Sequence, residues 1–477
     1  MNAILLLFLS LYLFGILFPL HNLFLIFFIT FYTYYSFKLI RINSILIPKL
    51  IVLAILFQNT FLGIGMHLFG IKGESITLYT QVPTILIFIP AMIILLNEFS
   101  KKEYLLFYLF VCLVGLNFII SPIKNISIFA YNVRNFTVFY LSYIVGKKII
   151  DTRKKVDELA VFYIRCVILA GVVGLFGVLT NGKLYEIMGA TEVANIKTMN
   201  SSYYKFTGLP GFFMGDFFGT YYLRMASLFL EPVNFSSFVS LAVILQTIYL
   251  RKAIDWMKLL FLLLTNFLTF GKGGLLISGI CMFGLILKYI LYNQMRFSRK
   301  TTRQTVITGL LFLILIFGVF YGTHYSYNLH FYAIKITLQA LIKQPWGFGV
   351  GSVGNMSNFF SAKSLIGAET GLLNFACQLG IEGAVVFIVL LGRMSQDAYK
   401  GFRNGGGNDF FIFSLLPIVL MAVFMFQENT FTTQVITGFM LFQGYYSNAY
   451  KKTIPSTFSL QNGIINDHIM RKSVYVR

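Results

Sequence analysis

Runs of apolar residues recur from Ile4 to Met440, and many reach the roughly 20 residues that a helix needs to cross about 30 Å of hydrocarbon. The connections between most of them are short and polar. This pattern predicts an all-α polytopic membrane protein with about fourteen transmembrane helices (twelve to fourteen). They are centred near residues 11, 28, 58, 89, 112, 137, 168, 237, 263, 282, 314, 381, 417 and 439. The first run, Ile4 to Phe18, has no Lys or Arg before it and no small-residue cleavage site after it, so it is expected to remain as the first helix. A single transmembrane helical domain over residues 1–450 and a polar tail over 451–477 then account for the chain.

Composition narrows the class. The chain is 57% hydrophobic and 12% charged, against roughly 25% charged in an average soluble domain. A net charge of +21 would suggest nucleic acid in a soluble protein. Here the basic residues sit in short clusters between apolar runs, and no nucleic-acid partner is expected. Cys112, Cys166, Cys281 and Cys377 all fall inside apolar runs without CxxC or metal-ligand spacing, which implies packing, no disulfide framework and no metal site.

The clusters alternate. Lys38, Arg41 and Lys49, then Lys101 and Lys102, then Lys147 to Lys155, then Arg251 to Lys258, Lys288 to Arg303, Arg393 to Arg403 and the tail after Lys451 occupy every second connection. The other connections hold far fewer cations. The positive-inside rule therefore puts both termini in the cytoplasm. Two long loops, about 181–223 and 324–368, then face outward and exceed simple helix connections. In the second, Ile334, Leu338, Leu341 and Ile342 recur at helical spacing beside Lys335, Gln339 and Lys343, predicting a helix on the outer membrane surface. A helix that merely packs over the bundle fits the same spacing. Pro345 ends it and Trp346 is placed to anchor at the interface.

Ionisable groups near hydrocarbon need a partner, a wet cavity or a task. Arg134 lies in the outer part of the sixth expected span, and Arg165 near the inner end of the seventh, where snorkelling or pairing accounts for it. Arg224 is expected to begin the eighth span with Glu231 two turns later on the same face, and Pro232 to kink that helix. An inert ion pair shaping the helix end is the plain alternative. Lys272 sits in Gly271-Lys272-Gly273-Gly274, a short turn whose glycines would let backbone N–H groups approach an anion. The GxxxxGK[ST] pattern of a nucleotide loop is absent. Glu369 follows the second long loop, in Glu369-Thr370-Gly371-Leu372-Leu373-Asn374, where it suits a base or a sugar-hydroxyl ligand, or simply complements a helix N-terminus. Glu382, Glu428 and Gln378 have glycine neighbours or positions that favour structural roles, while His324 and His330 are surface candidates. Arg134, Arg224 and Lys272 together put three cations on the outward side, the chemistry a diphosphate requires.

At these residues the chain resembles the O-antigen polymerase and ligase superfamily, the Wzy-type polymerases in particular, over about residues 134–444. Three stretches carry the resemblance: Arg224-Met225-Ala226-Ser227-Leu228-Phe229-Leu230-Glu231-Pro232-Val233-Asn234, then Leu268-Thr269-Phe270-Gly271-Lys272-Gly273-Gly274-Leu275, then Gln344-Pro345-Trp346-Gly347-Phe348-Gly349-Val350-Gly351 leading to Glu369 through Gly380. It implies a metal-independent, cofactor-free glycosyltransferase of the GT-C type. Such an enzyme moves glycans carried on undecaprenyl diphosphate at the external face of the bacterial inner membrane, beside membrane lipid, a chain-length regulator and a flippase. In that picture Arg224, Lys272 and Glu369 are catalytic, and Arg134, Glu231, Asn374 and His330 bind substrate. Two positions depart from the family pattern: the usual Ser-Arg is Gly271-Lys272, and the His-Asn common at the end of the second loop is Glu369-Thr370.

The leading expectation is a polymerase of lipid-linked repeat units. An O-antigen ligase, passing glycan to lipid A core, is the nearest rival, and the missing loop histidine argues against it. A lipid-oligosaccharide flippase or transporter would show duplicated halves, and no such duplication is visible.

Overall fold

The computed structural model describes residues 21–71, 77–121, 126–198, 208–217, 219–250, 252–291, 325–353 and 370–453. The spans expected near residues 11 and 314, the end of the second long loop with Glu369, His324, and the tail after 453 lie outside the described residues, as does the side chain of His330. The chain is mostly helical. Long helices occur at the other twelve expected centres: α1 (His21–Arg41), α2 (Leu46–Phe69), α3 (Val82–Asn97), α4 (Leu105–Ile120), α5 (Ile126–Ile149) and α6 (Arg153–Leu179). The first long loop adds α7 (Lys183–Ile187) and α8 (Ala190–Thr198). There follow α9 (Pro232–Ile248), α10 (Ala253–Leu268), α11 (Lys272–Leu291), α12 (Tyr325–Lys343) in the second long loop, α13 (Gly371–Arg403), α14 (Asn408–Phe424) and α15 (Thr433–Thr453). Among the described residues six helical stretches are long and apolar enough to cross a membrane: Leu23–Arg41, Leu46–Phe69, Tyr79–Asn97, Lys102–Ile119, Arg153–Leu179 and Gly371–Arg403.

The first long loop adds the two strands among the described residues. Met214–Phe217 (β1) and Thr220–Leu223 (β2) form an antiparallel hairpin, with Met214 opposite Leu223 and Gly219 at a φ of 77° in its turn. Only glycine adopts that conformation without steric cost.

The bundle has two chemically different ends. At one, Lys49 pairs with Glu158 at 2.6 Å, Lys148 with Glu98 at 2.8 Å, Lys147 with Glu103 at 2.9 Å, and Arg153 with Asp409. Lys288 donates to Asn408 there at 2.8 Å. The cation clusters that alternate along the chain thus meet at a single basic end. At the opposite end α2 packs so tightly on the start of α8 that a Cβ on Gly189 would stand 2.6 Å from Gly63 Cα. His67 meets Glu192 beside this contact at 2.7 Å.

Between the ends runs an aromatic core. Phe387 lies tilted at 4.7 Å from Phe375 and edge-on at 4.9 Å from Phe431, and Phe424 lies 4.5 Å from Phe431. Helix α13 is broken at Gly380, whose φ of 78° and ψ of 169° are not helical. The backbone groups freed by the break find partners, as groups shielded from water must. Phe348 N–H donates to the Cys377 carbonyl at 2.6 Å, Asn117 Nδ2 to the Leu379 carbonyl at 3.3 Å, and Ile381 N–H to the Pro345 carbonyl at 3.0 Å. Gln378 completes the splice, taking Gly351 N–H on Oε1 at 2.8 Å and donating to the Val353 carbonyl at 2.9 Å, which gives it a structural role. Gly347 lies against the break, where a Cβ would meet Gly380 N at 2.6 Å.

Candidate functional site

Four helices begin at one corner of the end opposite the basic clusters, around residues 423–434. α9 reaches it through Asn234, which donates to Gln434 at 2.7 Å. α11 reaches it at Gly273, where a Cβ would stand 2.8 Å from Gln427 Cδ and 3.3 Å from Val423. α13 starts at Gly371, where a Cβ would meet the Phe424 carbonyl at 2.5 Å, and α15 starts at Thr433, two residues past the 3-10 turn Glu428–Phe431. None of the four carries an acidic residue in its first turn, although Glu231 is the residue that caps α9 and Glu428 opens the 3-10 turn before α15. Each helix start holds about half a positive charge from its aligned peptide dipoles, so the corner is a region of positive potential before any side chain is counted.

Arg224 and Lys272 join this corner. Arg224 leaves β2 and turns its guanidinium onto the loop between α10 and α11, donating from Nε to the Thr269 carbonyl at 2.8 Å and from Nη2 to the Phe270 carbonyl at 3.3 Å. Nη1 donates to the Phe212 carbonyl at 3.3 Å. The fork thus ties the hairpin to the C-terminal end of α10, two residues before Lys272 opens α11. Two of its five N–H groups have no acceptor among the described residues. Burial, only partly offset by Glu231, lowers its pKa to about 10, so the group is cationic at neutral pH.

Three expectations change here. Arg224 and Glu231 do not share a helical face, because a 3-10 turn at Ser227–Phe229 and left-handed Leu230 (φ 49°) separate them. Pro232 does not kink a helix but begins one, at the position where its missing N–H costs nothing. The glycines around Lys272 serve packing: a Cβ on Gly274 would lie 2.5 Å from the Ser236 carbonyl oxygen, and one on Gly271 would overlap the Ser236 side chain. Lys272 itself is the first residue of α11 rather than part of the turn.

A buried amide relay was missed by the sequence reading. Gln58 Nε2 donates to the Thr80 carbonyl and Asn59 Nδ2 to the Phe229 carbonyl. Carbonyls only accept, so both side-chain oxygens must face the other way. They receive Gln434 Nε2 at 2.9 and 3.4 Å, and Gln434 Oε1 in turn takes the Asn234 donor. The polarity propagates to Asn234 Oδ1, a buried acceptor with no donor among the described residues. Arg134 connects to the same relay, donating to Gln81 Oε1 at 2.6 Å while Gln81 Nε2 donates to Thr80 Oγ1 at 3.0 Å. The interruption of an apolar run by Gln58-Asn59-Thr60 was the available signal.

The remaining candidates are placed as follows. Glu231 is half-buried at the residue before α9, within electrostatic reach of Arg224. Asn374 is buried in the first turn of α13, where its Oδ1 takes the Thr370 hydroxyl at 3.2 Å beside Thr337 of α12. Arg165 is exposed on α6. Position 330 lies on α12, away from the corner in sequence, and Glu369 directly precedes Thr370 but lies outside the described residues. Fold and site together define a helical membrane protein in which four helix N-termini gather with Arg224, Lys272 and the carboxyl-bearing Glu231 and Glu428 at one end of the bundle. No family model and no curated protein matches the chain.

Proposed function

We propose that the protein polymerises lipid-linked oligosaccharide repeat units, moving a growing glycan from undecaprenyl diphosphate to the sugar end of a second lipid-linked repeat. The observation that carries this reading is the convergence of four helix N-termini with Arg224 and Lys272 at one corner of the end away from the basic clusters. In the reaction the bond between the donor sugar's anomeric carbon and the diphosphate breaks, the diphosphate keeps the electron pair, and an acceptor hydroxyl oxygen forms the new bond. Charge therefore develops on the diphosphate, where fixed dipoles and cations stabilise it without reorganising. Glu369 is the proposed base that takes the hydroxyl proton, with Glu231 and Asn374 toward the sugars. The family type (GT-C), a full complement of fourteen spans, an inner-membrane location and cytoplasmic termini belong to the same proposal.

The test uses purified protein and synthetic undecaprenyl-diphosphate repeat units, comparing wild type with Lys272→Ala and Glu369→Gln. Lys272 is the better phosphate probe, since removing Arg224 also unties three carbonyls. A ladder of polymer lengths from wild type, lost in both variants while they stay folded, supports the reading; equal ladders from all three refute the site.

One observation favours a second reading. A helix broken at Gly380 and spliced by a loop is a feature of secondary transporters. Movement of lipid-linked oligosaccharide across vesicles without change in chain length would select a flippase.

A further inference from the structure

The outward face of α12 carries chemistry that the transfer reaction does not use. Its inward side, Ile336, Ala340 and Leu341, packs on Val353 and Cys377, and the Thr337 carbonyl lies 3.6 Å from Cys377 Sγ. The other side exposes Leu338, Ile342 at 78% and, just past the helix, Trp346 at 73%. Lys335 and Lys343 are exposed beside them, and neither pairs with a carboxylate among the described residues. The sequence of α12 contains no Asp or Glu.

This face is continuous with an exposed apolar wall of the bundle. Pro345, next to Trp346, accepts from Ile381 N–H, and Ile381, Val385 and Ile388 form an exposed apolar stripe one and two turns apart on α13. On the other side of the splice, Ser121 Oγ donates to the Val350 carbonyl at 2.9 Å, just past exposed Leu116 and Ile119 of α4. α4 and α13 both contribute stretches apolar enough to cross a membrane. Ile342 and Trp346 therefore extend this exposed apolar surface where α4 ends and α13 is broken at Gly380.

We propose that the outward face of α12 binds anionic phospholipid: Leu338, Ile342 and Trp346 sit in the boundary between acyl chains and headgroups, and Lys335 and Lys343 take headgroup phosphates. An amphipathic helix with lysines flanking its apolar stripe binds a lipid surface through both terms at once. Among the described residues the charge on this face is of one sign and uncompensated, which fits anionic lipid better than a protein partner of mixed surface. The inference is independent of glycan transfer.

The chain has two tryptophans, so Trp256→Phe leaves Trp346 as the sole reporter. The full-length variant is placed in nanodiscs containing a small fraction of either brominated phosphatidylglycerol or brominated phosphatidylcholine. Both lipids are expected to quench Trp346, the anionic one more strongly, with local enrichment of roughly fivefold per lysine. Lys335→Gln with Lys343→Gln is expected to abolish the excess and leave the common quenching. Absence of quenching by either lipid, quenching by aqueous iodide instead, or an anionic excess indifferent to the lysines would each overturn the proposal. Native mass spectrometry of wild type and the lysine double variant, counting retained phosphatidylglycerol, gives the same discrimination without the Trp256 change.

Discussion

The contact between α9 and α11 positions Lys272, and Gly274→Ala tests it. An alanine Cβ there would lie 2.5 Å from both the carbonyl carbon and oxygen of Ser236, well inside ordinary van der Waals contact. The obstacle is backbone, so no rotamer relieves it and the two helices must separate. Overpacking of this kind costs about 1–3 kcal/mol. Separation also strains the Ser236 hydroxyl, which lies 2.8 Å from Asn266 Oδ1 and 2.9 Å from the Gly271 carbonyl, adding roughly 1 kcal/mol. Alanine regains about 0.5–1 kcal/mol of helix propensity, leaving a net loss of about 1–3.5 kcal/mol. Gly115→Ala in α4 is the matched control, because nothing lies within 4 Å of its Cβ and only the propensity gain remains. Thermal unfolding in detergent should place Gly274→Ala below wild type and Gly115→Ala at or above it. Equal melting temperatures for the two variants would refute the close-packing account of the glycines around Lys272.

Arg224→Lys should lose roughly 1–3 kcal/mol despite keeping the charge, since one ammonium cannot serve carbonyls of Phe212, Thr269 and Phe270 together; thermal unfolding equal to wild type would show that charge alone suffices. In the amide relay, Gln434→Leu should destabilise more than Asn234→Leu, because it strands the oxygens of Gln58 and Asn59 and the Asn234 donor, whereas the latter strands only Gln434 Oε1. Equal losses on unfolding would refute the direction assigned to the relay. Burial raises the Glu98 carboxyl, but hydrogen bonds from Lys148, Lys101 and Tyr104 outweigh it and hold the pKa at about 2 instead of 4.5. A depressed carboxylate contributes stability above its ordinary pKa that disappears as pH falls toward the folded value. Unfolding followed from pH 5 downward should therefore show a loss over about that interval that Glu98→Gln lacks.

Helix positions were legible in the chain because hydrocarbon permits few solutions: an apolar run of spanning length must satisfy its backbone internally. The runs near Ile55, Ile89 and Val167 are helices for that reason. The alternation of cations was equally legible, since charge is excluded from the spans and must collect at their ends, and the ion pairs of Lys49, Lys147, Lys148 and Arg153 gather at one end. Local chemistry was less so. Arg224 to Glu231 reads as a helix start by composition, yet Ser227 and Leu230 take left-handed conformations that only their surroundings can impose. In the hairpin, alternation over Met214–Leu223 is too brief to stand out from neighbouring aromatic residues.

The sequence by itself determined a membrane-embedded helical bundle with one basic end and cations at the other, because hydropathy and charge act through the solvent and need no knowledge of neighbours. Only the tertiary structure decided that Arg224 clamps carbonyls before Lys272, that glycines 271, 273 and 274 serve close packing, and that Gln58, Asn59, Asn234 and Gln434 form one directed relay. Those outcomes depend on which backbone carbonyls and side chains from distant parts of the chain come within hydrogen-bond distance, and a linear pattern of polarity does not encode distance.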